Sequence, residues 1–237
     1  MSLTSDNKTG GFNKYTAFKY VLIYNPLTFI ALILFVFLLF LAIFGNIITP
    51  FDPLETDSTR ALEPPSSVHI FGTDHLGRDV LSRVIVAARI DLGIAVLAVG
   101  LSFCIGLFAG AIAGYYGGRI DRIVGRIVDT IMAFPLFVLA MGIVSALGNT
   151  VWNIVIATAI INLPFYIRFA RAEINARLEL GYVSAARLNG NSNISILTRH
   201  LIPNILPPMM VQVSLNMGWA ILNAAGLSFI GLGIRPP

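Results

Sequence analysis

Residues 27–48 read LTFIALILFVFLLFLAIFGNII and contain no charged residue. A helix needs about 20 apolar residues to cross the hydrocarbon core of a bilayer, and this stretch is long enough. The rest of the chain has a similar character, because 56% of its 237 residues are hydrophobic and only 12% are charged. A soluble domain carries roughly 25% charged residues. The sequence therefore predicts an all-α, polytopic transmembrane protein.

Four further apolar runs predict a bundle of five spans. They are less uniform than the first, because Asp129 lies near the start of the third, Asn162 and Pro164 interrupt the fourth, and amide residues interrupt the fifth. The third and fourth runs are joined by a tight turn near 148–150. The predicted spans are 27–48, 92–113, 127–147, 151–169 and 208–227.

The distribution of basic residues predicts the orientation, since Lys and Arg collect in cytoplasmic loops. With the N-terminus inside, 11 of the 16 basic residues fall on the cytoplasmic side and 5 on the outer side. The predicted organisation is a cytoplasmic segment 1–26, a first transmembrane helix 27–48, an extracytoplasmic segment 49–91 and a core transmembrane domain 92–237. The core domain includes a cytoplasmic loop, 171–204.

This loop contains Tyr182-Val-Ser-Ala-Ala-Arg-Leu-Asn-Gly190. We predict a short helix over 179–189, ended by Gly190 in the left-handed conformation. A second short helix begins near 194 and ends before Pro203, and its capping residue is Asn191, Ser192 or Asn193. Such a loop offers a binding surface to a protein outside the bilayer. The alternative is an interfacial loop that has no partner.

Several other residues carry predictions. Gln212, Asn216 and Asn223 fall on one helical face of the fifth span, where they either line a solute path or bond to neighbouring helices. The 106/110/114 glycine series on the second span permits close helix approach. Further expectations are an Asp129–Arg126 pair near the inner interface, a buried Cys104, no metal site at His69 and His75, and solvated carboxylates at Glu173 and Glu179.

The stretch from Tyr182 to Asn204 resembles the cytoplasmic loop of ABC importer permeases. That pattern is Glu-Ala-Ala, three residues, Gly, nine residues and Ile-x-Leu-Pro, and the matching positions here are Ala185, Ala186, Gly190 and Pro203. The departures are Ser184, His200 and Ile202. The Arg199-His-x-x-Pro-Asn204 variant looks like the peptide/nickel (dipeptide and oligopeptide) branch of the family.

Other stretches are similar to the same branch. They are Phe71–Arg83 before the second span, the 114–118 glycine-tyrosine stretch with Asp121, Arg126 with Asp129 and Phe134-Pro135, and the 227–233 stretch with Pro236-Pro237. Two departures are Ala224, where many relatives have Glu, and Pro164, near a position often held by Trp. Relatives continue to a sixth helix, so the resemblance implies one missing at the C-terminus.

The resemblance implies a peptide-importing permease subunit in the cytoplasmic (inner) membrane of a prokaryote. It implies a second homologous permease subunit, two ATPase subunits that bind ATP and Mg²⁺, and an extracytoplasmic solute-binding protein. This chain itself would have no catalytic residue, metal, cofactor or nucleic acid. ATPase coupling would fall to Tyr182, Val183, Ala185, Ala186, Arg187, Gly190 and Pro203.

Two other classes of membrane protein are alternatives. An ion-driven secondary transporter would need paired ionisable residues at the bilayer midplane, or broken helices in two similar halves. A membrane hydrolase would need a nucleophile and a base within the spans. Neither pattern is evident, and Gly72-Thr-Asp-His-Leu-Gly-Arg-Asp79 lacks the Gly-Lys-Ser/Thr of a phosphate-binding loop.

Overall fold

A computed structural model describes residues 24–233. Within that range the chain is helical apart from the connections between helices, the longest of which, 49–79, contains a 3-10 turn at Ser58–Arg60 and an isolated bridge between Thr73 and Asp79. Most of the predicted segment 1–26, and Arg235 with the final prolines, lie outside the described residues. The all-α prediction is confirmed. The helices are α1 (Pro26–Ile48), α2 (Val80–Tyr116), α3 (Gly118–Met132), α4 (Leu136–Leu147), α5 (Val151–Asn175), α6 (Gly181–Leu188), α7 (Asn193–Ser195) and α8 (Ile202–Phe229).

Four helical stretches are long and apolar enough to cross a membrane, and a fifth crossing is possible if α3 and α4 together form one span. The first begins at Pro26, one residue before the predicted start, because proline suits the first turn of a helix. The second is longer than predicted. Its 37 residues extend about 55 Å, well beyond the roughly 30 Å of hydrocarbon.

The predicted span 127–147 is not one continuous helix. Residues of that stretch divide between α3 and α4, whose axes meet at 85°. The break lies at Ala133, Phe134 and Pro135. Proline has no backbone N–H and disfavours the helical conformation in the residue before it, so α3 ends and a new helix begins after Pro135.

The fourth and fifth spans also run past their predicted ends. Helix α5 continues six residues beyond Phe169 to Asn175, and Pro164 lies inside it. The predicted second short helix of the cytoplasmic loop does not end before Pro203. Instead α7, a π-helical stretch Ile196–Leu201 and α8 form one continuous helix from Asn193 to Phe229.

The chain divides into two compact units, Met1–Arg89 and Ile90–Pro237. In the first unit, Gly45 is buried on α1 and packs against Ile85. In the second unit, α5 packs against α3, α4 and α8. One core of that unit surrounds Tyr166 and Met209 and includes residues of α2, α5, α6 and α8. A second core joins α4 and α5 to the C-terminal part of α8.

A glycine seam brings α2 and α5 into direct contact within the second unit. A Cβ atom added at Gly106 would collide with Cβ of Tyr166, and one added at Gly110 would collide with the carbonyl oxygen of Ile167. At Gly114 it would lie 2.9 Å from the carbonyl oxygen of Arg171. The predicted close approach is confirmed. Cys104 on the same helix is exposed, so the prediction that it is buried is wrong.

Candidate functional site

Helix α6 is attached to the rest of the second unit by two small apolar side chains. Val183 is fully buried and Ala186 is 5% exposed, and both belong to the core that contains Ile174, Ile196 and Leu201. The helix follows α5 after a short turn in which the Leu180 N–H donates to the Arg177 carbonyl. Since α6 lies between the end of α5 and the beginning of α7, its position depends on both of these helices.

The other side of α6 faces solvent. Tyr182, Ala185 and Arg187 are exposed, and Leu188 at the C-terminal end is 89% exposed. Of the seven residues predicted to couple to an ATPase, Val183 and Ala186 therefore face the chain's own core. The sequence prediction missed Leu188. Helical spacing could have indicated that Leu188 is exposed. Val183 and Ala186, three residues apart, occupy the buried face of the helix, and Leu188 lies off that face.

Gly190 ends α6 as predicted. Its φ is +75°, in the left-handed region that glycine adopts at no steric cost. The Gly190 N–H donates to the Arg187 carbonyl, and the Asn191 N–H donates to the Ala186 carbonyl, at 3.0 and 3.2 Å. These two bonds define a Schellman motif and satisfy carbonyls that would otherwise have no helical donor.

The following helix begins at a polar cap, and Ser192 is the capping residue. Its hydroxyl accepts the Ser195 N–H at 3.3 Å. The Tyr115 hydroxyl at the end of α2 donates to the side-chain oxygen of Asn193 at 2.9 Å. Pro203 is exposed in the first turn of α8. Pro203 has no backbone N–H to donate to the preceding turn, and that turn is the wider π-helical stretch Ile196–Leu201.

A cavity of about 500 Å³ lies among α4, α5 and α8. Gln212, Asn216 and Asn223 all line it, so the structure brings these three residues together on one face of α8. Asn162 of α5 adds a fourth amide. The remaining lining residues are all apolar or aromatic: Leu136, Phe137, Ile161, Phe165, Leu215 and Trp219.

Asn216 is the polar centre of this cavity. It is 5% exposed, and among the described residues its amide nitrogen has no hydrogen-bond partner. The Tyr166 hydroxyl also lacks a partner of good geometry, but it lies within hydrogen-bonding reach of the Asn216 side chain. Asn162 is different, because its amide donates to the Thr158 carbonyl at 2.9 Å. Buried polar groups are nearly always paired, and the Tyr166 hydroxyl is the neighbour with which Asn216 can pair.

Ion pairs connect α3 to α5 near the C-terminal end of α5. The Asp121 carboxylate lies 2.7 Å from Nε of Arg171, and the Asp129 carboxylate accepts a hydrogen bond from Arg168 at 2.9 Å. The predicted Asp129–Arg126 pair is therefore wrong. The bend after α3 turns that helix along α5, which brings Arg168 to Asp129.

Glu173 was also predicted wrongly. It is about three-quarters buried and pairs with Arg177 at 2.6 Å, because the two residues lie four apart and share one face. Glu179 is exposed as predicted.

The loop between α1 and α2 is held by buried polar contacts. The Asp74 carboxylate accepts hydrogen bonds from the backbone N–H groups of Leu76 and Arg78 and pairs with the side chains of Arg78 and Arg83. Burial raises the pKa of Asp74, but these hydrogen bonds and the Arg78 charge outweigh it and lower the pKa to about 2. The loop is therefore a folded element, since its turns are fixed through one ionised carboxylate.

His69 lies in the same loop. Its ring is buried, its Nδ1 is 2.9 Å from the Asp79 carboxylate, and it packs on Phe51 with ring centroids 4.6 Å apart. Burial raises the pKa of Asp79, but the hydrogen bonds from the Ser82 backbone N–H and from His69 outweigh it and lower the pKa. Among residues 24–233, no group of three or more His, Cys, Asp or Glu side chains is placed to hold a metal.

Comparisons with known proteins agree with this architecture. The family described as binding-protein-dependent transport system inner membrane component matches residues 106–237. The family described as N-terminal TM domain of oligopeptide transport permease C matches residues 19–65. The chain therefore belongs to the inner membrane components of binding-protein-dependent transport systems, the permease subunits of ABC importers.

Curated relatives are similar over most of the chain. The probable D,D-dipeptide transport system permease protein DdpC of Escherichia coli (strain K12) is 40% identical over 213 residues, which are 90% of this chain and 72% of the relative. The dipeptide transport system permease protein DppC of Alkalihalophilus pseudofirmus is also 40% identical, over 90% of this chain and 70% of its own length. The nickel transport system permease protein NikC of Escherichia coli (strain K12) is 35% identical over 88% of this chain and 75% of its own length.

Proposed function

We propose that this chain is one of two homologous permease subunits that together enclose the path of an ABC importer for peptides. Two ATPase subunits, which bind ATP and Mg²⁺, dock on the cytoplasmic loop. An extracytoplasmic solute-binding protein delivers the substrate. The N-terminus and residues 171–204 face the cytosol, since the basic residues collect on that side. This chain makes and breaks no bond in the substrate.

The observation that carries the proposal is the two-sided character of α6. One side is fixed in the core by Val183 and Ala186, while Tyr182, Ala185 and the 89%-exposed Leu188 face outward. An exposed leucine and tyrosine on a helix that is rigidly attached to the bundle suit a groove on an ATPase. When ATP binding closes the ATPase pair, α6 moves with the groove and shifts the ends of α5 and α7, to which it is joined.

Gly190 provides a test of this coupling role. Gly190→Val forces a β-branched residue into the left-handed region, which costs roughly 1–2 kcal/mol and disturbs the exit from α6. Gly190→Asn is the matched control, because asparagine tolerates that conformation. We expect the Val variant to insert normally but to lose substrate-stimulated ATP hydrolysis and uptake in proteoliposomes of the full complex. The Asn variant should retain most of both activities. Wild-type coupling in the Val variant would refute the role of α6.

A second short test concerns the contact itself. Leu188→Asp places a charge at the exposed end of α6 and leaves the buried side untouched. We expect it to reduce co-purification of the ATPase subunits. The control is Asn189→Asp, at the neighbouring exposed position outside the helix. Equal ATPase recovery from the two variants would show that Leu188 is not in the contact.

Peptide substrates are supported by the relatives that are named as dipeptide permeases and by the cavity among α4, α5 and α8. None of its ten lining residues is charged, and its four amides can donate and accept hydrogen bonds with a peptide backbone. A path for varied side chains needs such neutral groups, since a fixed charge would hold some substrates and repel others. One subunit lines only half of the path, and the homologous subunit supplies the rest.

The alternative for these amides is bonding to neighbouring helices, at roughly 0.6 kcal/mol for each bond. Asn216→Leu separates the two roles, with Ser214→Leu as the control because Ser214 is exposed on the same helix away from the cavity. A path residue changes peptide uptake while the complex still assembles with normal stability. A structural residue lowers the melting temperature first. Normal uptake by an Asn216→Leu, Gln212→Leu double mutant would remove this face from the path.

A further inference from the structure

Helix α3 has the composition of a helix that lies along a membrane surface and does not cross it. Five of its 15 residues are charged, and the axis of the following helix, α4, turns away at 85°. A spanning segment would have to bury all five charges in hydrocarbon, which membrane helices avoid. If α4 runs into the bilayer, a helix at this angle to it lies close to the membrane plane.

The two sides of α3 carry different kinds of residue. Val128 is buried at 2% exposure, and Asp121 and Asp129 reach Arg171 and Arg168, so this side packs on α5. The opposite side carries two adjacent rows with the same spacing of three and then four residues. One row is apolar and exposed: Ile120 at 40%, Ile123 at 62% and Ile127 at 51%. The other row is basic: Arg119, Arg122 and Arg126.

The two rows meet in one surface groove of about 520 Å³, lined by the three arginines with Ile123 and Ile127. No carboxylate among the described residues pairs with any of these arginines, although Arg122 donates to the Gly118 carbonyl at 3.4 Å. On α3, exposed isoleucines lie beside arginines that pair with no carboxylate among the described residues, while the opposite face packs on protein. This arrangement suits the boundary between the acyl chains and the headgroups of a membrane. The isoleucines enter the acyl region and the arginines remain at the headgroups.

We propose that α3 lies in the membrane–water interface and binds anionic lipid headgroups through Arg119, Arg122 and Arg126. The positive charge of this face indicates which lipids bind to it. Three cations and an exposed apolar row are complementary to an anionic leaflet, and each arginine near such a surface strengthens binding about fivefold. The transporter would then depend on anionic lipid to hold α3, and α3 is joined through its ion pairs to the end of α5 that leads to α6.

The test uses the assembled transporter in vesicles of phosphatidylcholine, with or without phosphatidylglycerol. In a Cys104→Ala background, a fluorophore is attached at Ile123→Cys and, as a control, at Asn189→Cys in a polar turn. Nitroxides attached to lipids near the headgroup should quench the label at position 123 and leave the one at 189 bright. If the partner permease or a second copy covers this face instead, the label at 123 is shielded from lipid nitroxides and the proposal is overturned.

The lipid specificity is tested with two triple variants. Changing Arg119, Arg122 and Arg126 to Gln should reduce the enrichment of brominated phosphatidylglycerol around α3 by roughly tenfold or more, measured as quenching of the same label. Changing all three to Lys keeps the charges and should preserve the enrichment. Equal enrichment in the Gln and Lys variants would overturn the proposal. These readouts need no transport activity, so they do not depend on which substrate is carried.

Discussion

Replacing a glycine of the α2–α5 seam with alanine should destabilise the protein. The loss of stability should be larger where the new Cβ atom has less room. An alanine Cβ at Gly106 or Gly110 meets rigid atoms of α5, such as the Ala170 Cβ at 2.9 Å from position 110. The nearest atoms, Cβ of Tyr166 for position 106 and the Ile167 carbonyl oxygen for position 110, are closer still, whereas no atom comes nearer than 2.9 Å to a Cβ at Gly114. Gly100 lies on the same helix and has nothing within 4 Å, so it provides the matched control.

The magnitude follows from two opposing effects. Glycine to alanine inside a helix favours folding by up to about 1 kcal/mol, and this gain is shared by all four variants. Overpacking opposes it at the seam and costs about 1–3 kcal/mol. The difference between Gly106→Ala and Gly100→Ala is therefore about 1–3 kcal/mol. For a chain of this size it corresponds to a melting temperature roughly 2–12 °C lower.

The assay is thermal unfolding in detergent, followed by the fluorescence of Trp152 and Trp219 in the second unit. We expect Gly100→Ala to melt at or slightly above the wild-type temperature, Gly114→Ala below it, and Gly106→Ala and Gly110→Ala lowest. If the variants at 106 and 110 melt at the same temperature as Gly100→Ala, the two helices are not in direct contact and the reasoning fails.

Three further predictions concern other parts of the molecule. Because the pKa of Asp74 is lowered to about 2, its ionised form stabilises the α1–α2 loop above about pH 4, and this contribution is lost as the pH falls toward 2. Asp74→Asn should lower the melting temperature at pH 7 and flatten its dependence between pH 4 and pH 2; an unchanged pH profile would contradict this. Asp129→Asn should change stability by less than about 1 kcal/mol in chemical denaturation, since the pair with Arg168 is largely solvated, and a larger loss would show that the pair is structural. A thiol placed at Ser58 should react with an impermeant reagent from outside intact cells, and one placed at Ser192 only after permeabilisation; the opposite result would invert the proposed orientation.

The sequence predicted the fold wherever one strong local signal decided the structure. An uncharged run of 22 residues can hardly be anything but a span, and the predicted helix agrees with α1 to within one residue. Gly190 was equally predictable, because a helix with glycine just beyond its end commonly closes in the left-handed conformation. The glycine series on α2 predicted a close contact, although only the structure shows that α5 is the partner.

The failures arose where local signals competed. Apolar residues predominate from Ile127 to Leu147, so hydropathy predicted one continuous helix there, but Pro135 interrupts the helix and the chain bends. At Pro203 the same reasoning gave the opposite error. There a proline was expected to separate two helices, and the chain accommodates it in the first turn of α8, after a π-helical stretch. Proline fixes local geometry, and the surrounding packing decides whether the helix ends.

The candidate site was only partly predictable for a related reason. Helical spacing brings Gln212, Asn216 and Asn223 to one face of α8, but the opposite wall of the cavity comes from α5, and the sequence shows Asn162 there only as an interruption. Membrane helices make the distinction harder, since apolar residues face both lipid and protein. Cys104 shows this ambiguity, because an apolar run suggested burial for a residue that is exposed.

Helix α5 connects all the features that the proposed function requires. Its N-terminal half carries Asn162, which lines the cavity, and two residues later comes Pro164, which cannot donate to the carbonyl four residues earlier. Its C-terminal half contacts α2 along the glycine seam between Tyr166 and Ile174, pairs with α3 through Arg168 and Arg171, and leads through a short turn to α6. Under the proposed function, a displacement that enters at α6 would reach α5, which packs against α2 along the glycine seam, and would move α5 along that seam or bend it at Pro164. Either motion would change the cavity wall at Asn162, and this is the route by which the proposed function connects the eight-residue helix α6 to a path inside the bilayer.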